Sequence, residues 1–309
     1  MPNNQTLRIG TRGSELAMTQ CKTVVDLLAT EHPGVDFALV EINSRGDADR
    51  SSRLDQMGAG VFTKALEDAL LDDRIDVAVH SLKDMPGKIG SEFEIAAVTE
   101  REDPREVLIN RWNCAFADMP QGARIGTGSP RRTAQMLSQR PDIVISPIRG
   151  NVPTRIEKAL AGKASGLDGS IMAAAGVNRL GMSGLISEHL DPNVFVPAVG
   201  QGSVAMEIRS GDENARGLIT AAEDKPARIA ATAERAFLRT TEGGCSAPIA
   251  AYARAQDGKL VITGFASAPD GSRIIVETLV GSLSTPDDLG NELASLLLSQ
   301  GASKLIGSW

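Results

Sequence analysis

The chain has 309 residues, 42% of them hydrophobic and 23% charged, which excludes a disordered polypeptide and makes two or three domains the expectation. A net charge of -7 excludes a surface built mainly for nucleic acid or anionic membrane, although a local basic pocket can hide beneath it, and the expected partner is small. Cys21, Cys114 and Cys245 are too far apart for a CxxC pair and odd in number, so neither a cysteine-rich zinc site nor a fully paired disulfide framework is expected. Such usage fits the cytosol. The opening MPNNQTLRIG has no basic segment followed by an apolar run, and no later stretch reaches the apolar length of a membrane span, so a soluble cytoplasmic protein is expected.

Short strand-like runs alternate with longer runs of helical period, the pattern of an α/β fold. Residues 7–10 read as a strand, and Ser14 can cap a helix whose Leu16, Val24, Leu27 and Leu28 share a face before His32-Pro33-Gly34 stops it. Strands follow at 37–42 and 75–79, with a helical run at 61–71 between them. The opening IGTRGS of residues 9–14 recurs as IGTGSP at 125–130, each a strand, a glycine turn and a helix start, with Ser129 a natural N-cap and Pro130 a natural N1 residue. One repetition at this separation predicts two similar α/β domains rather than a solenoid. From a boundary near 224 a helix at 227–239 is expected, then strands near 249–255, 260–266 and 274–280 joined by turns at Asp257-Gly258 and Asp270-Gly271, and a helix at 287–298.

Arginines sit where helices begin. Arg12 lies in the first strand-to-helix turn, Arg131 and Arg132 open the equivalent second helix, and Arg149 and Arg155 flank Gly150-Asn151, another helix start. Helix N-termini favour anions and Arg adds a bidentate clamp, so a polyanionic ligand is expected at strand-to-helix junctions. Phosphate and carboxylate remain equal candidates, but the absence of GxxxxGK[ST] argues against a nucleoside triphosphate. In VAVHSLKDMP, residues 77–86, a buried strand runs into a polar turn carrying Lys83 and Asp84. There Asp84 is either a general base or counter-ion to a cationic intermediate, or half of a structural ion pair. His80 reads as a packed, hydrogen-bonded histidine, and no histidine cluster proposes a metal. In EGGCSAP, residues 242–248, two glycines can present Cys245 on a loop as a nucleophile or attachment point, whereas Cys21 and Cys114 read as buried thiols.

Taken together and in order, IGTRGSELAMTQ, RGDADRSSRLDQMGAGVFTKALEDALL, DVAVHSLKDMP, REDPREVLI, IGTGSPRRTAQ, IRGNVPTRIEKA, AAAGVNRLG, PAVGQGSVAMEIR and AERAFLRTTEGGCSAPIAAYA resemble the porphobilinogen deaminase (hydroxymethylbilane synthase) family over essentially the whole chain. The resemblance implies two periplasmic-binding-protein-like (type II) domains with a cleft between them, residues 1–104 with 197–222 and residues 105–196, plus a small α+β domain at 223–309. It implies a monomeric transferase of porphyrin biosynthesis, with a dipyrromethane cofactor on Cys245 through a thioether. Four porphobilinogens would be condensed head to tail with loss of ammonia, and water would release hydroxymethylbilane. Asp84 would be catalytic and would also contact the cofactor. Lys83, Ser129, Arg131 and Arg132 would bind cofactor carboxylates. Arg12, Ser14, Gln20, Arg149, Arg155 and Arg179 would bind substrate or the growing chain, with Phe62 on a covering loop and Gln201 near a hinge.

Two departures stand out. Ala59, within Met57-Gly58-Ala59-Gly60, occupies a position where the family usually has lysine, and Gly128-Ser129-Pro130 replaces the more usual Ser-Ser-Leu. Both put individual contacts in question and leave Asp84, Cys245 and the arginines in place. A dicarboxylate receptor without chemistry, or a transferase acting on another polyanion through a transient Cys245 nucleophile, are the competing readings.

Overall fold

The computed structural model describes residues 6–43, 63–242 and 247–306. These residues form two compact units, Met1–Glu102 with Ser203–Ile229, and Asp103–Gly202 with Ala230–Trp309. Cys245, Phe62 and Ala59 lie outside the described residues.

The first unit begins with β1 (Thr6–Arg12), α1 (Glu15–Glu31), β2 (Asp36–Ile42), α2 (Lys64–Leu71), β3 (Val77–Ser81) and β4 (Phe93–Val98). As expected, Ser14 caps α1 by accepting the Ala17 N–H at 3.3 Å, and the helix ends at His32. Its buried face is Gln20, Cys21, Val24 and Leu28, while Leu27, expected on that face, is 42% exposed. At 100° per residue Leu27 falls at the edge of the stripe farthest from Cys21 and Leu28.

The chain then enters the second unit with β5 (Glu106–Asn110), β6 (Arg124–Gly126), α3 (Pro130–Gln139), β7 (Val144–Ser146), α4 (Val152–Leu160), β8 (Gly169–Ala173), α5 (Ala174–Arg179) and β9 (Glu188–His189). Their sheet has the order β7-β6-β8-β5-β9, with β6 parallel to β7 and β8, and β5 antiparallel to β8. The chain returns to the first unit as β10 (Val204–Arg209) and α6 (Glu213–Ile219), which completes the sheet β2-β1-β3-β10-β4. Here β1 is parallel to β2 and β3, and β10 is antiparallel to β3 and β4. The two sheets have one topology. β6 corresponds to β1, β7 to β2, β8 to β3, and in each an antiparallel strand fills the fourth place, β10 in the first and β5 in the second. The repeated IGT therefore marks equivalent strands, and Ser129 caps α3 as Ser14 caps α1.

Helix α7 (Lys225–Thr241) leads to the antiparallel strands β11 (Ile249–Gln256), β12 (Lys259–Ser267) and β13 (Ile274–Gly281), followed by α8 (Pro286–Ser299) and α9 (Ala302–Ile306). The turn at Asp257-Gly258 forms as expected, with φ of 51° and 74°. Within the second unit Ala134 and Val196 pack on Ala250 and Phe265, tying this small sheet to the side of α3. No described helix is long and apolar enough to cross a membrane.

In the first unit, Arg8 and Arg209 converge on Asp76, whose Oδ1 accepts from Arg8 Nη2 at 2.7 Å and from Arg209 Nη2 at 3.3 Å. Burial is the largest single influence on Asp76 and pushes its carboxyl pKa up, but hydrogen bonds from the Arg8 side chain and backbone, with the charge of Arg8 and a bond from Arg209, bring it net below the ordinary value. A depressed carboxylate stabilises the fold above its unfolded pKa of about 3.9, and that contribution is lost as pH falls through the folded value. Asp76→Asn is expected to cost about 1–2 kcal/mol at neutral pH. The deficit should shrink in acid, as read from denaturant midpoints between neutrality and pH 3. A deficit independent of pH would contradict the role of the carboxylate.

Candidate functional site

The candidate residues of the first unit lie at the carboxyl ends of parallel strands, where open α/β sheets bind ligands. Arg12 is the last residue of β1 and Ser14 follows it as the cap of α1. Gln20 is buried on α1 and bonds the Ser81 hydroxyl at 3.0 Å, through Nε2 as donor and Oε1 as acceptor. This pins α1 to the end of β3, the strand next to β1. Directly beyond, Leu82–Asp84 form a single 3-10 turn closed by the Met85 N–H on the Leu82 carbonyl, and the Leu82 N–H is held by the Ser203 carbonyl at 3.0 Å. Lys83 and Asp84 are both half-buried on this turn. The Asp84 carboxylate has no hydrogen bond or ion pair with any described residue. A structural salt bridge among the described residues is thereby excluded for it. His80, the residue before Ser81, is buried and its Nε2 lies 2.9 Å from Glu207 Oε2 on β10, as a packed, hydrogen-bonded histidine should be.

In the second unit Ser129 accepts the Arg132 N–H at the start of α3, and Arg131 and Arg132 turn inward, 5% and 8% exposed. Both converge on Glu106, the fully buried first residue of β5. Arg131 Nη2 donates to Glu106 Oε1 at 2.6 Å and Arg132 Nε to Oε2 at 2.9 Å. Arg131 Nη1 also reaches the Val196 carbonyl at 2.8 Å, and Arg132 Nη1 the Ile171 carbonyl at 3.3 Å. Gln201 Nε2 approaches the same carboxylate at 3.1 Å and the Pro104 carbonyl at 2.7 Å. Burial lowers the Arg131 pKa from its ordinary value, and the Glu106 charge opposes that shift. Two guanidiniums share one carboxylate, so the cluster keeps one positive charge beneath a helix N-terminus. Its bonds to described residues also leave some of each guanidinium's five N–H donors unused.

Arg149 and Arg155 stand at the start of α4, where Asn151 accepts the Thr154 N–H at 3.0 Å as N-cap and Arg155 Nε donates to the Gly150 carbonyl at 2.8 Å. Gly150 has φ +117°, and a Cβ there would lie 2.7 Å from Thr154 Cγ2, so the turn into the helix requires glycine. Arg179, at the end of α5, donates to the Gly202 carbonyl at 2.7 Å, one residue from Gln201. The structure thus joins Ser129, Arg131, Arg132 and Gln201 through Glu106, and groups Arg149 with Arg155. Cys21 is buried inside α1 as expected, whereas Cys114 is only half-buried, its Sγ 3.7 Å from Asn110 Oδ1. Glu106 was not singled out from the sequence, although an acidic residue opening the otherwise apolar run EVLI was a usable signal.

Carboxyl-edge arginines, capped helix N-termini and a carboxylate without a described protein partner define an α/β protein built for an anionic ligand. Residues 7–217 match the model of the porphobilinogen deaminase dipyrromethane cofactor binding domain, and residues 228–299 match that of the porphobilinogen deaminase C-terminal domain. The chain belongs to the porphobilinogen deaminase family. It is 40% identical over 303 residues to the porphobilinogen deaminase of Alkaliphilus metalliredigens, covering 98% of this chain and 95% of that one. With the porphobilinogen deaminase of a Roseiflexus species it shares 43% identity over 303 residues, covering 98% and 99%. Among solved structures it is similar to the methionine binding protein MetQ, with a TM-score of 0.42 at 12% identity, covering 70% of this chain and 89% of that one.

Proposed function

We propose that the chain is an active, monomeric, cytoplasmic transferase that condenses four porphobilinogens head to tail on a dipyrromethane primer held by Cys245, and releases hydroxymethylbilane by hydrolysis. The observation that carries this reading is the Asp84 carboxylate, half-buried at the carboxyl end of β3 with no described protein partner. A structural aspartate at that place would have a counter-ion, and a receptor for dicarboxylates has no use for an added negative charge.

The donor set suits the primer. Each pyrrole brings an acetate and a propionate, and the cluster of Arg131, Arg132 and Glu106 retains a net positive charge to meet a carboxylate. Ser129 spends one lone pair on the Arg132 N–H, which leaves its O–H free to donate, so the flanking Gly128 and Pro130 do not remove this contact. Lys83 adds a further cation. When bound, dipyrromethane supplies the nucleophilic pyrrole carbon from which the chain is extended. Arg12, Ser14, Gln20, Arg149, Arg155 and Arg179 hold carboxylates of the incoming substrate and the lengthening product, with Phe62 on a covering loop and Gln201 near a hinge. Loss of ammonia from the aminomethyl group of porphobilinogen leaves a cation delocalised onto the pyrrole N–H. Asp84 accepts a hydrogen bond from that N–H, stabilises the charge, and takes up the proton released after carbon–carbon bond formation.

The reading is tested by incubating purified protein with porphobilinogen and following ammonia release together with the tetrapyrrole product. One ammonia per porphobilinogen consumed, and a four-ring product, are expected. Binding without ammonia release would return the receptor reading.

A further inference from the structure

We propose that Glu106 is a positioning residue: an internal counter-ion that holds Arg131 and Arg132 in one geometry and leaves a single net positive charge for a ligand carboxylate. The inference rests on the reading that this arginine pair binds the dipyrromethane carboxylates.

Glu106 is fully buried at the start of β5, and each of its oxygens is claimed by a different guanidinium, Oε1 by Arg131 at 2.6 Å and Oε2 by Arg132 at 2.9 Å. A carboxylate bridging two guanidiniums fixes both forks at once, because each bond is directional. The fixation reaches further. Gln201 Nε2 approaches Oε1 at 3.1 Å while also donating to the Pro104 carbonyl, so the bridging carboxylate is itself held from a second side. Without Glu106, two buried like charges in adjacent residues would lose their shared anchor and repel, and Arg131, already disfavoured by burial, would lose the charge that sustains it. With it, the pair is ordered before any ligand arrives, and binding does not bear the cost of ordering two long side chains. A second carboxylate on Glu106's side would neutralise the pair and abolish its pull on an anion; one carboxylate leaves half of it.

The test compares the full-length parent with Glu106→Gln and Glu106→Asp, and with Asp76→Asn as a control for lost stability remote from the arginines. Circular dichroism reports the fold, intact mass the fraction carrying the adduct, and steady-state kinetics the kcat per adduct-bearing molecule. Glu106→Gln is expected to reduce adduct occupancy by about tenfold, the equivalent of one hydrogen bond to a charged group. Glu106→Asp, with its carboxylate withdrawn by one methylene, should fall between Glu106→Gln and the parent. Asp76→Asn should stay fully loaded and keep the parent's kcat per loaded molecule. A parent without any adduct sinks the cofactor reading and the role of Glu106 with it. A loaded parent with both Glu106 variants loaded as fully overturns the role of Glu106 alone. If Glu106→Gln does not fold, the same comparison is decided by Glu106→Asp. If neither folds, Glu106 is a structural residue and the proposal is overturned.

Discussion

Asp84→Asn is expected to fold like the parent and to lose about 10²–10³-fold in kcat, the range found when one preorganised electrostatic contact to a transition state is removed. Folding should be spared because the carboxylate makes no hydrogen bond or ion pair with a described residue, and the 3-10 turn that carries it is closed by backbone groups alone. Stability should therefore stay within about 0.5 kcal/mol, the usual span for a substitution away from packing and hydrogen-bond networks. Turnover should not be spared. A unit charge about 4 Å from a developing cation is worth about 4 kcal/mol at an effective dielectric constant of about 20, and the asparagine amide supplies only a dipole in its place. Asp84→Glu keeps the charge but displaces it by a methylene, so it should retain more activity than Asp84→Asn. Rates of ammonia release and thermal melts, taken on the same preparations, check both halves. Turnover within about twofold of the parent would make Asp84 a solvated carboxylate with no part in the reaction.

Much of this arrangement was legible in the sequence because it is local. A serine before a helical run declares an N-cap through one short hydrogen bond, and Ser14 and Ser129 both do so. Together with the repeated IGT they locate two equivalent carboxyl edges before any tertiary contact is known. The strands of the last sheet were equally plain, since their turns use Asp-Gly pairs and their lengths are set by alternation. Pairing over long separations was not legible. Nothing within EVLIN says that β5 runs antiparallel between β8 and β9, or that VAMEIR returns to lie beside β3, because register depends on partners about 60 to 130 residues away. The partners of Glu106 were hidden for the same reason: an acidic residue opening an apolar run could be noticed, but the two arginines from another element that close on it could not be read. Burial on a helix is also finer than a list of apolar positions, as Leu27 shows by facing outward while Gln20 faces in. For Asp84 the sequence left two roles standing, and among the described residues its carboxylate makes no ion pair.

Cys245→Ala is expected to remove the covalent adduct completely and turnover with it, whereas Cys21→Ala and Cys114→Ser should keep both. The thiolate is the nucleophile, so reactivity follows how readily a thiol ionises and how well it is reached. Cys21 fails on both counts, since it is fully buried in α1 and burial pushes its thiol up to about 12. Cys114 is half-buried, and its Sγ is engaged with the Asn110 side-chain oxygen at 3.7 Å. Cys245 stands between Gly244 and Ser246 in a segment with two consecutive glycines, where backbone freedom lets a side chain be presented to a reactant. Thioether formation would exchange the sulfur-bound proton for a carbon–sulfur bond to the first porphobilinogen as its ammonia departs, and a second unit would add with loss of a second ammonia. The parent should therefore exceed its sequence mass by two porphobilinogens less two ammonias, and Cys245→Ala should show the sequence mass alone. Adduct remaining on Cys245→Ala would move the attachment to another residue, and an active parent with no added mass would exclude a covalent primer altogether. Cys245→Ala should still present the cluster of Arg131, Arg132 and Glu106 intact, because the bonds of Glu106 to Arg131, Arg132 and Gln201 all lie within residues 104–201. Its loss of activity would then report the missing anchor and not a damaged carboxylate site.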